Sequence, residues 1–119
     1  MRTIIQATGI EHTNAIDAYV TKKLRDLEKV LDPKELSEVV EVEVGKPSRH
    51  HKSGDVFYAE INFHVKKKKF RATTKAGDLY AAIDKVKDEI IHEVTRYHDK
   101  MRAGQKAGGR EAKARLRGA

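Results

Sequence analysis

The spacing of hydrophobic positions changes from strand-like to helix-like within the first third of the chain. Residues 2–10, "RTIIQATGI", place adjacent isoleucines before a glycine, which is typical of a short strand and its turn. In residues 11–33 the hydrophobic positions recur every third or fourth residue, which predicts one buried stripe of an amphipathic helix. The stripe comprises Ile16, Val20, Leu24, Leu27 and Leu31. Thr13 is a candidate N-cap, and Pro33 is expected to end the helix.

Three further strands and a second helix are predicted from the remaining pattern. Alternation in "SEVVEVEVG" (37–45) and "VFYAEINFHV" (56–65) indicates two half-buried strands, separated by the polar connection "KPSRHHKSGD" (46–55). The segment "KKKKFRATT" (66–74) predicts a fourth strand, reached through a lysine-rich turn. From Asp78 to about Met101 the hydrophobic residues again follow a helical spacing. They are Leu79, Ile83, Val86, Ile90, Val94 and Tyr97.

The predicted order β-α-β-β-β-α gives every strand one hydrophobic face and each helix one hydrophobic stripe. The consistent arrangement is a two-layer α+β domain, with both helices on one face of a four-stranded, mainly antiparallel sheet. We interpret residues 1–103 as this domain. Residues 104–119 are small and basic without a hydrophobic period, and are predicted to form a flexible basic tail.

The charge of the chain is positive and unevenly distributed. The formal net charge is +7, and residues 101–119 hold six lysines and arginines against one glutamate. Such a field favours a polyanionic partner, and nucleic acid before membrane because the sequence predicts no strongly amphipathic basic helix with bulky aromatic residues. Ordinary solubilising charge is the alternative interpretation.

Several classes of protein are disfavoured by what the sequence does not contain. No run approaches the ~18 hydrophobic residues that a membrane-spanning helix needs. The chain has no cysteine, so it offers neither a disulfide framework nor a thiolate metal site, and a cytoplasmic location is the simplest interpretation. No glycine-rich phosphate loop or nucleophile motif is present, and an enzyme is therefore not expected.

Basic side chains project from the predicted outer surfaces of both helices. Two such helices lying side by side would form a furrow with cationic walls, which suits a phosphate backbone. The candidate RNA-binding residues are Lys22, Lys23, Arg25 and Lys29 on the first helix, and Lys85, Arg96, Lys100 and Arg102 on the second. The alternative is a solvated helix face with mixed charges.

The run of four lysines at the predicted hairpin is a second candidate for anion contact. Consecutive lysines repel one another, and a bound polyanion would relieve that repulsion. The candidates are Lys66, Lys67 and Lys69, followed by Arg71. The alternative is protection of an exposed strand edge against unwanted pairing.

The histidines do not form a recognisable metal motif. His50 and His51 are adjacent in a loop, whereas His92 and His98 are six residues apart on a helix and point in different directions. None shows the i, i+4 spacing with a carboxylate that zinc hydrolases use. We therefore expect no metal site and no cofactor.

Two segments carry a resemblance to a known family. The stretch "GDLYAAIDKVKDEI" (77–90) is similar to the start of the second helix in ribosome hibernation promoting factors, also called ribosome-associated inhibitors or sigma-54 modulation proteins. The stretch "GIEHTNAIDAYVTKKLRDLEKVL" (9–31) resembles the first helix of the same family. The resemblance extends over residues 1 to about 105, and the family's fold has the β-α-β-β-β-α order predicted above.

The resemblance implies a non-catalytic protein that binds the small ribosomal subunit in the channel of messenger and transfer RNA. The basic helix surfaces would contact ribosomal RNA, so the resemblance supports the lysines and arginines of the first helix and Lys85, Arg96 and Lys100 of the second. Asp26, Glu89 and His92 lie at positions where relatives often have a lysine or arginine.

The start of the second helix has two chemically distinct residues. Asp78 is expected to cap the free amides of the first turn. Tyr80 follows Leu79 of the hydrophobic stripe, so its ring is expected to lie partly against the sheet, with the hydroxyl contacting RNA or Asp84. A leading strand and an acid at this position argue against a double-stranded-RNA-binding domain, although the layering is like that of one.

The leading hypothesis is a hibernation factor that blocks tRNA and mRNA binding and so inhibits translation in stress or stationary phase. One alternative is a general structured-RNA-binding or RNA-chaperone module, and another is a metal-dependent nuclease that uses the histidines. No membrane and no small-molecule substrate is expected. The family has short members and long ones with a C-terminal dimerisation domain after a flexible linker, and this sequence is expected to be either a short form or the front half of a long one. Dimerisation is expected only through such a C-terminal domain.

Overall fold

The computed structural model describes residues 1–36, 39–47 and 56–116, with side chains up to residue 104. Its elements follow the predicted order. They are β1 (Arg2–Thr8), α1 (Asn14–Val30), a 3-10 turn (Pro33–Glu35), β2 (Val39–Gly45), β3 (Phe57–Val65), β4 (Lys68–Ala76) and α2 (Leu79–Leu116). Most of the predicted connection 46–55, including His50 and His51, lies outside the described residues.

The four strands form one sheet in the order β1-β2-β3-β4. β1 pairs with β2 in parallel because α1 connects them, and the other two pairings are antiparallel, which confirms the mainly antiparallel sheet. A two-residue turn joins β3 to β4, with Val65 opposite Lys68. Lys66 in this turn has a φ of 55°, a left-handed conformation that is uncommon for a residue with a side chain.

A single hydrophobic core fills the space between the helices and one face of the sheet. α2 packs over β3 and β4 with α1 beside it, and the hydrophobic stripe of α1 belongs to the same core as the buried residues of β2 and β3. Helix residues of this core include Ile16, Val20, Leu24, Leu27, Ile83, Val86, Ile90 and Val94, and strand residues include Val40, Val42, Val44, Ile61 and Phe63. The predicted two-layer arrangement with both helices on one face is confirmed.

Both helices begin at the predicted caps. The Thr13 hydroxyl accepts a hydrogen bond from the Ile16 amide at 3.2 Å. The Asp78 carboxylate accepts one from the Ala81 amide at 3.0 Å. Each cap satisfies an amide that lacks a partner within its own helix, and the carboxylate also complements the positive end of the α2 dipole.

The second helix ends later than the sequence pattern predicts. α2 continues to Leu116, whereas the loss of hydrophobic period predicted an end near Met101, and that boundary was wrong. Most of residues 102–116 are Ala, Lys, Arg, Gln and Glu, which favour helix without needing a surface to pack on, although the segment also contains three glycines, which do not. The division of the chain into a domain ending at 103 and a basic tail stays a prediction.

One glycine is required by the contact between the first two strands. Gly45 is buried at the end of β2, opposite Thr8 of β1. A Cβ at this position would lie 2.0 Å from the Thr8 carbonyl oxygen, far inside van der Waals contact. The adjacent Lys46 amide donates to the same oxygen at 3.0 Å, so the two backbones are held at this close approach.

Across the part of the chain that the structure describes, none of the helices combines the length and hydrophobicity needed to cross a membrane.

Candidate nucleic-acid interface

Three of the predicted RNA contacts lie on the solvent-facing side of α1. They are Lys22, Arg25 and Lys29. Lys22 and Arg25 line a shallow groove on the helix, and neither has an ion-pair partner among the described residues. Lys29 is largely exposed and lies 3.9 Å from the Asp26 carboxylate. The outer face of α1 therefore presents cations to solvent, two of them beyond ion-pair distance of any carboxylate in the described ranges, although Asp17 also lines their groove.

The fourth predicted contact on α1 is engaged between the helices. The Lys23 ammonium lies 3.1 Å from a carboxylate oxygen of Asp84 on α2, and the Tyr19 hydroxyl donates to the same oxygen at 2.6 Å. The hydrogen bond from Tyr19, followed by that from Lys23, lowers the pKa of Asp84 despite its partial burial. The bond to Asp84 in turn raises the pKa of Tyr19 and of Lys23. Lys23 is therefore held as a charged clamp between the two helices.

A second ion pair crosses the helix contact with the opposite polarity. Lys87 of α2 lies 3.7 Å from Asp26 of α1 and 2.6 Å from its own neighbour Asp88, and the bond to Asp88 is the main cause of its raised pKa. The furrow predicted between the helices therefore contains carboxylates that neutralise its lysines. Its role is to fix α1 against α2, and the uncompensated cations lie elsewhere.

Tyr80 occupies the edge of this helix contact. Its ring packs edge-to-face on that of Tyr19, with the ring centres 4.8 Å apart, and the residue is 36% exposed. The hydroxyl that binds Asp84 belongs to Tyr19, so the second of the two expected contacts of Tyr80 was wrong, and its contact with RNA stays a prediction. Sequence reasoning missed Tyr19 because its partner is 65 residues away along the chain.

Four lysine and arginine side chains without an ion-pair partner among the described residues line a cleft between the start of β4 and the middle of α2. We call it the hairpin–α2 cleft, and its lining includes Lys68, Lys69, Arg96 and Lys100. None of the four has a carboxylate within ion-pair distance among the described residues, although Glu93 also lines the cleft. Phe70 and Tyr97 form its floor, with ring centres 5.5 Å apart. A phosphate group placed here would meet several cations at once.

Lys68 was not among the predicted contacts, but strand alternation could have identified it. Phe70 and Ala72 are buried beneath α2, so the side chain two residues before Phe70 also points to the helix side. The Lys68 ammonium lies 5.8 Å from the centre of the Phe70 ring. Lys69 lies at the sheet edge and lines both the cleft and the open face of the sheet.

Arg71 lies on the open face of the sheet, away from the helices. Its guanidinium donates to Glu60 on β3 at 2.6 Å, and Thr73 donates to the same carboxylate oxygen at 3.1 Å. The structure therefore does not bring Arg71 together with the predicted helix residues. Its ion pair supports the cross-strand contact, as is common for opposite charges on adjacent strands.

The remaining predicted contacts flank the helix layer at its two ends. Lys67 is exposed at the tip of the hairpin, and Lys66 lines a groove with Arg102, which itself lies 3.5 Å from Asp99. Lys85 lies near the start of α2, with its ammonium 3.5 Å from the Lys75 carbonyl oxygen. These residues extend the positive surface without joining the hairpin–α2 cleft.

Two of the described histidines make side-chain contacts with carboxylates, His12 with Asp17 and His98 with Glu35. His98 Nε2 lies 2.8 and 2.9 Å from the two carboxylate oxygens of Glu35, which links α2 to the turn after α1. No group of three potential metal ligands occurs within the described residues. His50 and His51 lie outside them.

The Glu35 carboxylate makes stability depend on pH. Burial opposes its ionisation, but the Asp32 amide and His98 outweigh that effect and hold the pKa of Glu35 below its ordinary value of 4.5. A lowered pKa stabilises the fold above pH 4.5, and this contribution is lost as the pH falls through the lower folded value. We expect Glu35→Gln to reduce the free energy of unfolding by about 1–2 kcal/mol near neutral pH, and by progressively less below pH 4.5.

Urea unfolding of the wild-type protein and of Glu35→Gln between pH 3 and pH 7 measures the difference in their free energies of unfolding. Glu89→Gln is the matched control, since Glu89 is exposed on α2 and has no ion pair among the described residues. A destabilisation by Glu35→Gln that stays constant across this range would contradict the assignment.

Comparison with known proteins finds a family match, sequence relatives and solved structures of similar fold. Residues 3–102 match the family described as Sigma 54 modulation protein / S30EA ribosomal protein. The chain is 28% identical over 103 residues to a ribosome hibernation promoting factor of Klebsiella oxytoca, and 29% identical over 102 residues to that of Escherichia coli K12. Each alignment covers 86% of this chain and 98% of the relative.

Solved structures show the same fold. The crystal structure of the Thermus thermophilus Protein Y N-terminal domain aligns with a TM-score of 0.66 and 28% identity, covering 82% of this chain and 99% of that one. A ribosomal subunit interface protein of Coxiella burnetii aligns with the same TM-score at 12% identity, over 83% of this chain and 99% of its own. The second likeness concerns the fold alone.

Proposed function

This chain belongs to the Sigma 54 modulation protein / S30EA ribosomal protein family, and we propose on that basis that it binds the small ribosomal subunit and blocks its tRNA and mRNA sites. Its relatives are ribosome hibernation factors, and such factors are binding proteins and not enzymes. The proposed result is inhibition of translation in stress or stationary phase, in the cytoplasm where ribosomes work. The proposed mechanism is steric: the folded domain occupies space that the RNA ligands of the ribosome need.

The observation that carries the proposal is the placement of uncompensated cations on the helix-bearing part of the molecule. Six such cations, all among the described residues, form the proposed surface. Lys22 and Arg25 lie on α1, and the hairpin–α2 cleft is lined by Lys68, Lys69, Arg96 and Lys100. Binding of phosphates by these side chains would release counterions, which supplies affinity without a base sequence. The ion pairs of Lys23 with Asp84 and of Lys87 with Asp26 fix α1 against α2, and so fix the relative positions of the cations on the two helices.

Salt dependence of binding to purified small subunits tests the proposal. If all six of these cations contact phosphates, log K should fall against log salt concentration with a slope of about −4, at ~0.7 per contact. Co-sedimentation at increasing salt concentrations measures the slope. Absence of co-sedimentation even at low salt would contradict the proposal.

Competition with bulk structured RNA separates this function from a general RNA-binding or chaperone module. A ribosome-specific factor should remain bound to the small subunit when unrelated RNA is present in excess, because shape complementarity adds to the phosphate contacts. Equal displacement by any structured RNA would favour the general module. Incubation with labelled RNA and an added divalent ion tests the nuclease alternative, which predicts cleavage of the RNA.

A variant of α1 probes the first helix without disturbing the fold. Lys22→Glu with Arg25→Glu reverses two exposed cations that make no ion pair with the described residues. Lys23 is unsuitable for this purpose because a glutamate there would face Asp84 and break the helix contact.

A further inference from the structure

The last turns of α2 extend past the hydrophobic core. Tyr97 is the last hydrophobic residue of the helix that packs against that core, and residues 101–104 are all exposed. A Cβ at Gly104 would meet nothing within 4 Å, so no other part of the described chain lies against the helix at this position. The molecule is 67 Å long and 31 Å in its next dimension, as expected of a helix that projects from a domain. We call residues 102–116 the C-terminal arm.

The basic residues of the arm recur at helical spacing. With about 3.6 residues per turn, positions three or four residues apart share one face of a helix. Four of the five lysines and arginines in the arm follow that spacing and fall within an arc of about 80°. We call these four the cation row, and they are Arg102, Lys106, Arg110 and Lys113. The row is about 16 Å long at ~1.5 Å per residue. Its first member lies 3.5 Å from Asp99, in an exposed pair that leaves the charge available to a partner.

The other charged residues of the arm are placed on the opposite face of the helix. Glu111 and Arg115 are four residues apart, a spacing at which opposite charges stabilise a helix. Within the cation row the same spacing brings like charges together, which destabilises a helix. Cations interact favourably with the C-terminal end of a helix dipole on any side of the helix, so the dipole does not account for a row on one face. A bound polyanion would remove the repulsion within the row.

The residues around the cation row select the kind of polyanion. The arm contains no aromatic residue on which an unpaired base could stack. Its one hydrophobic residue larger than alanine is Leu116, which is too little for insertion into a membrane surface. Ala103, Ala107 and Ala114 border the row on one side, so the helix can approach a phosphate backbone closely. Contacts to phosphates alone favour the form in which phosphates are densest, and that form is a double helix.

We propose that the C-terminal arm binds the phosphate backbone of double-stranded RNA through the cation row. The choice of a double helix follows from the arm itself, whereas the choice of RNA rests on the proposed function. The family match ends at residue 102, so the arm lies almost entirely beyond the part of the chain that it covers. Four phosphate contacts give weak binding without a base sequence, with a Kd on the order of 10⁻⁴ to 10⁻⁶ M at physiological salt. The arm therefore adds affinity to the cations of the domain and does not replace them.

Titration of the isotope-labelled chain with a short RNA duplex of non-ribosomal sequence tests the inference. We expect saturable changes in the amide signals of residues 102–116, and slower hydrogen exchange there because bound RNA stabilises the helix. The variant Lys106→Ala/Ala107→Lys/Ala112→Lys/Lys113→Ala keeps the composition and net charge but moves two cations off the row. It should bind about tenfold more weakly, with a salt slope smaller in magnitude by about 1.8, at ~0.9 per contact.

The matched control for this variant is Lys106→Arg/Lys113→Arg. It keeps every charge of the cation row in place and should bind the duplex as the wild-type chain does. If the rearranged variant also binds with wild-type affinity, net charge and not the row determines binding, and the proposal is overturned. Signal changes confined to residues 66–100 would overturn it as well, because they would assign the duplex to the hairpin–α2 cleft.

Other ligands separate double-stranded RNA from the remaining polyanions. Equal affinity for a single-stranded RNA with the same number of phosphates, or for vesicles of anionic lipid, would contradict the choice of a double helix. Tighter binding of the corresponding DNA duplex would contradict the choice of RNA. Co-sedimentation with small subunits is measured in parallel on the same chain. Co-sedimentation without duplex binding would refute the role of the arm alone, whereas duplex binding without co-sedimentation would support the arm and refute the proposed function.

Discussion

Reversing the charges of Arg96 and Lys100 together is expected to lower the affinity for the small ribosomal subunit by about a hundredfold, and to reduce the magnitude of the salt slope by about 1.4, at ~0.7 per lost contact. Both side chains line the hairpin–α2 cleft and have no ion-pair partner among the described residues, so their charge is available to a phosphate. Neither belongs to the buried core, and the fold should survive the change. Arg96→Glu/Lys100→Glu in the co-sedimentation assay tests this expectation.

The matched control for this variant is Arg2→Glu/Lys75→Glu. It changes the net charge by the same amount, but both residues are exposed on strands away from the cleft. If attraction depends only on total charge, the two double variants will lose affinity equally, and the cleft will have no special role. A large loss for the cleft variant alone assigns the contact to this surface.

Replacing Gly45 with alanine is expected to reduce the free energy of unfolding by about 3 kcal/mol or more. The new methyl group would lie 2.0 Å from the Thr8 carbonyl oxygen, and a backbone atom cannot move aside as the end of a flexible side chain can. The end of β1 would have to separate from β2, with loss of the hydrogen bond between Lys46 and Thr8. Chemical denaturation followed by circular dichroism measures the effect.

Gly77 provides the matched control for this substitution. A Cβ at Gly77 would have nothing within 4 Å, and its backbone does not require glycine. Gly77→Ala should therefore be neutral, or stabilising by about 0.5 kcal/mol through the unfolded state. Equal stability of the Gly45 and Gly77 variants would contradict this prediction, because it would show that β1 can move away from β2 here at little cost in free energy.

Features that depend on local sequence pattern could be predicted. The stripe from Ile16 to Leu31 and the alternation from Val40 to Val44 specify which faces are buried, and the two caps specify where the helices begin. Since each strand and helix has one hydrophobic face, a two-layer arrangement follows. Predictions of fold and of core therefore needed no information about distant contacts.

Features that depend on the packing of distant segments could not be predicted. Which cations remain uncompensated is decided by contacts such as Lys23 with Asp84 and Lys87 with Asp26, and these depend on how far α1 is shifted along α2. The end of α2 was predicted wrongly for a different reason. Helix propensity extends it beyond Met101, whereas hydrophobic periodicity reports only those turns that have a surface to cover.

The clamp of Tyr19, Lys23 and Asp84 has a consequence for the thermodynamics of association. Because these contacts lock α1 to α2 in the unbound protein, the relative motion of the helices is restricted at folding and not at the encounter with a partner. A surface that is ordered in advance loses little conformational entropy when it docks, and more of the gross interaction energy remains as affinity. The carboxylate that neutralises a lysine between the helices thereby preorganises the cations outside them.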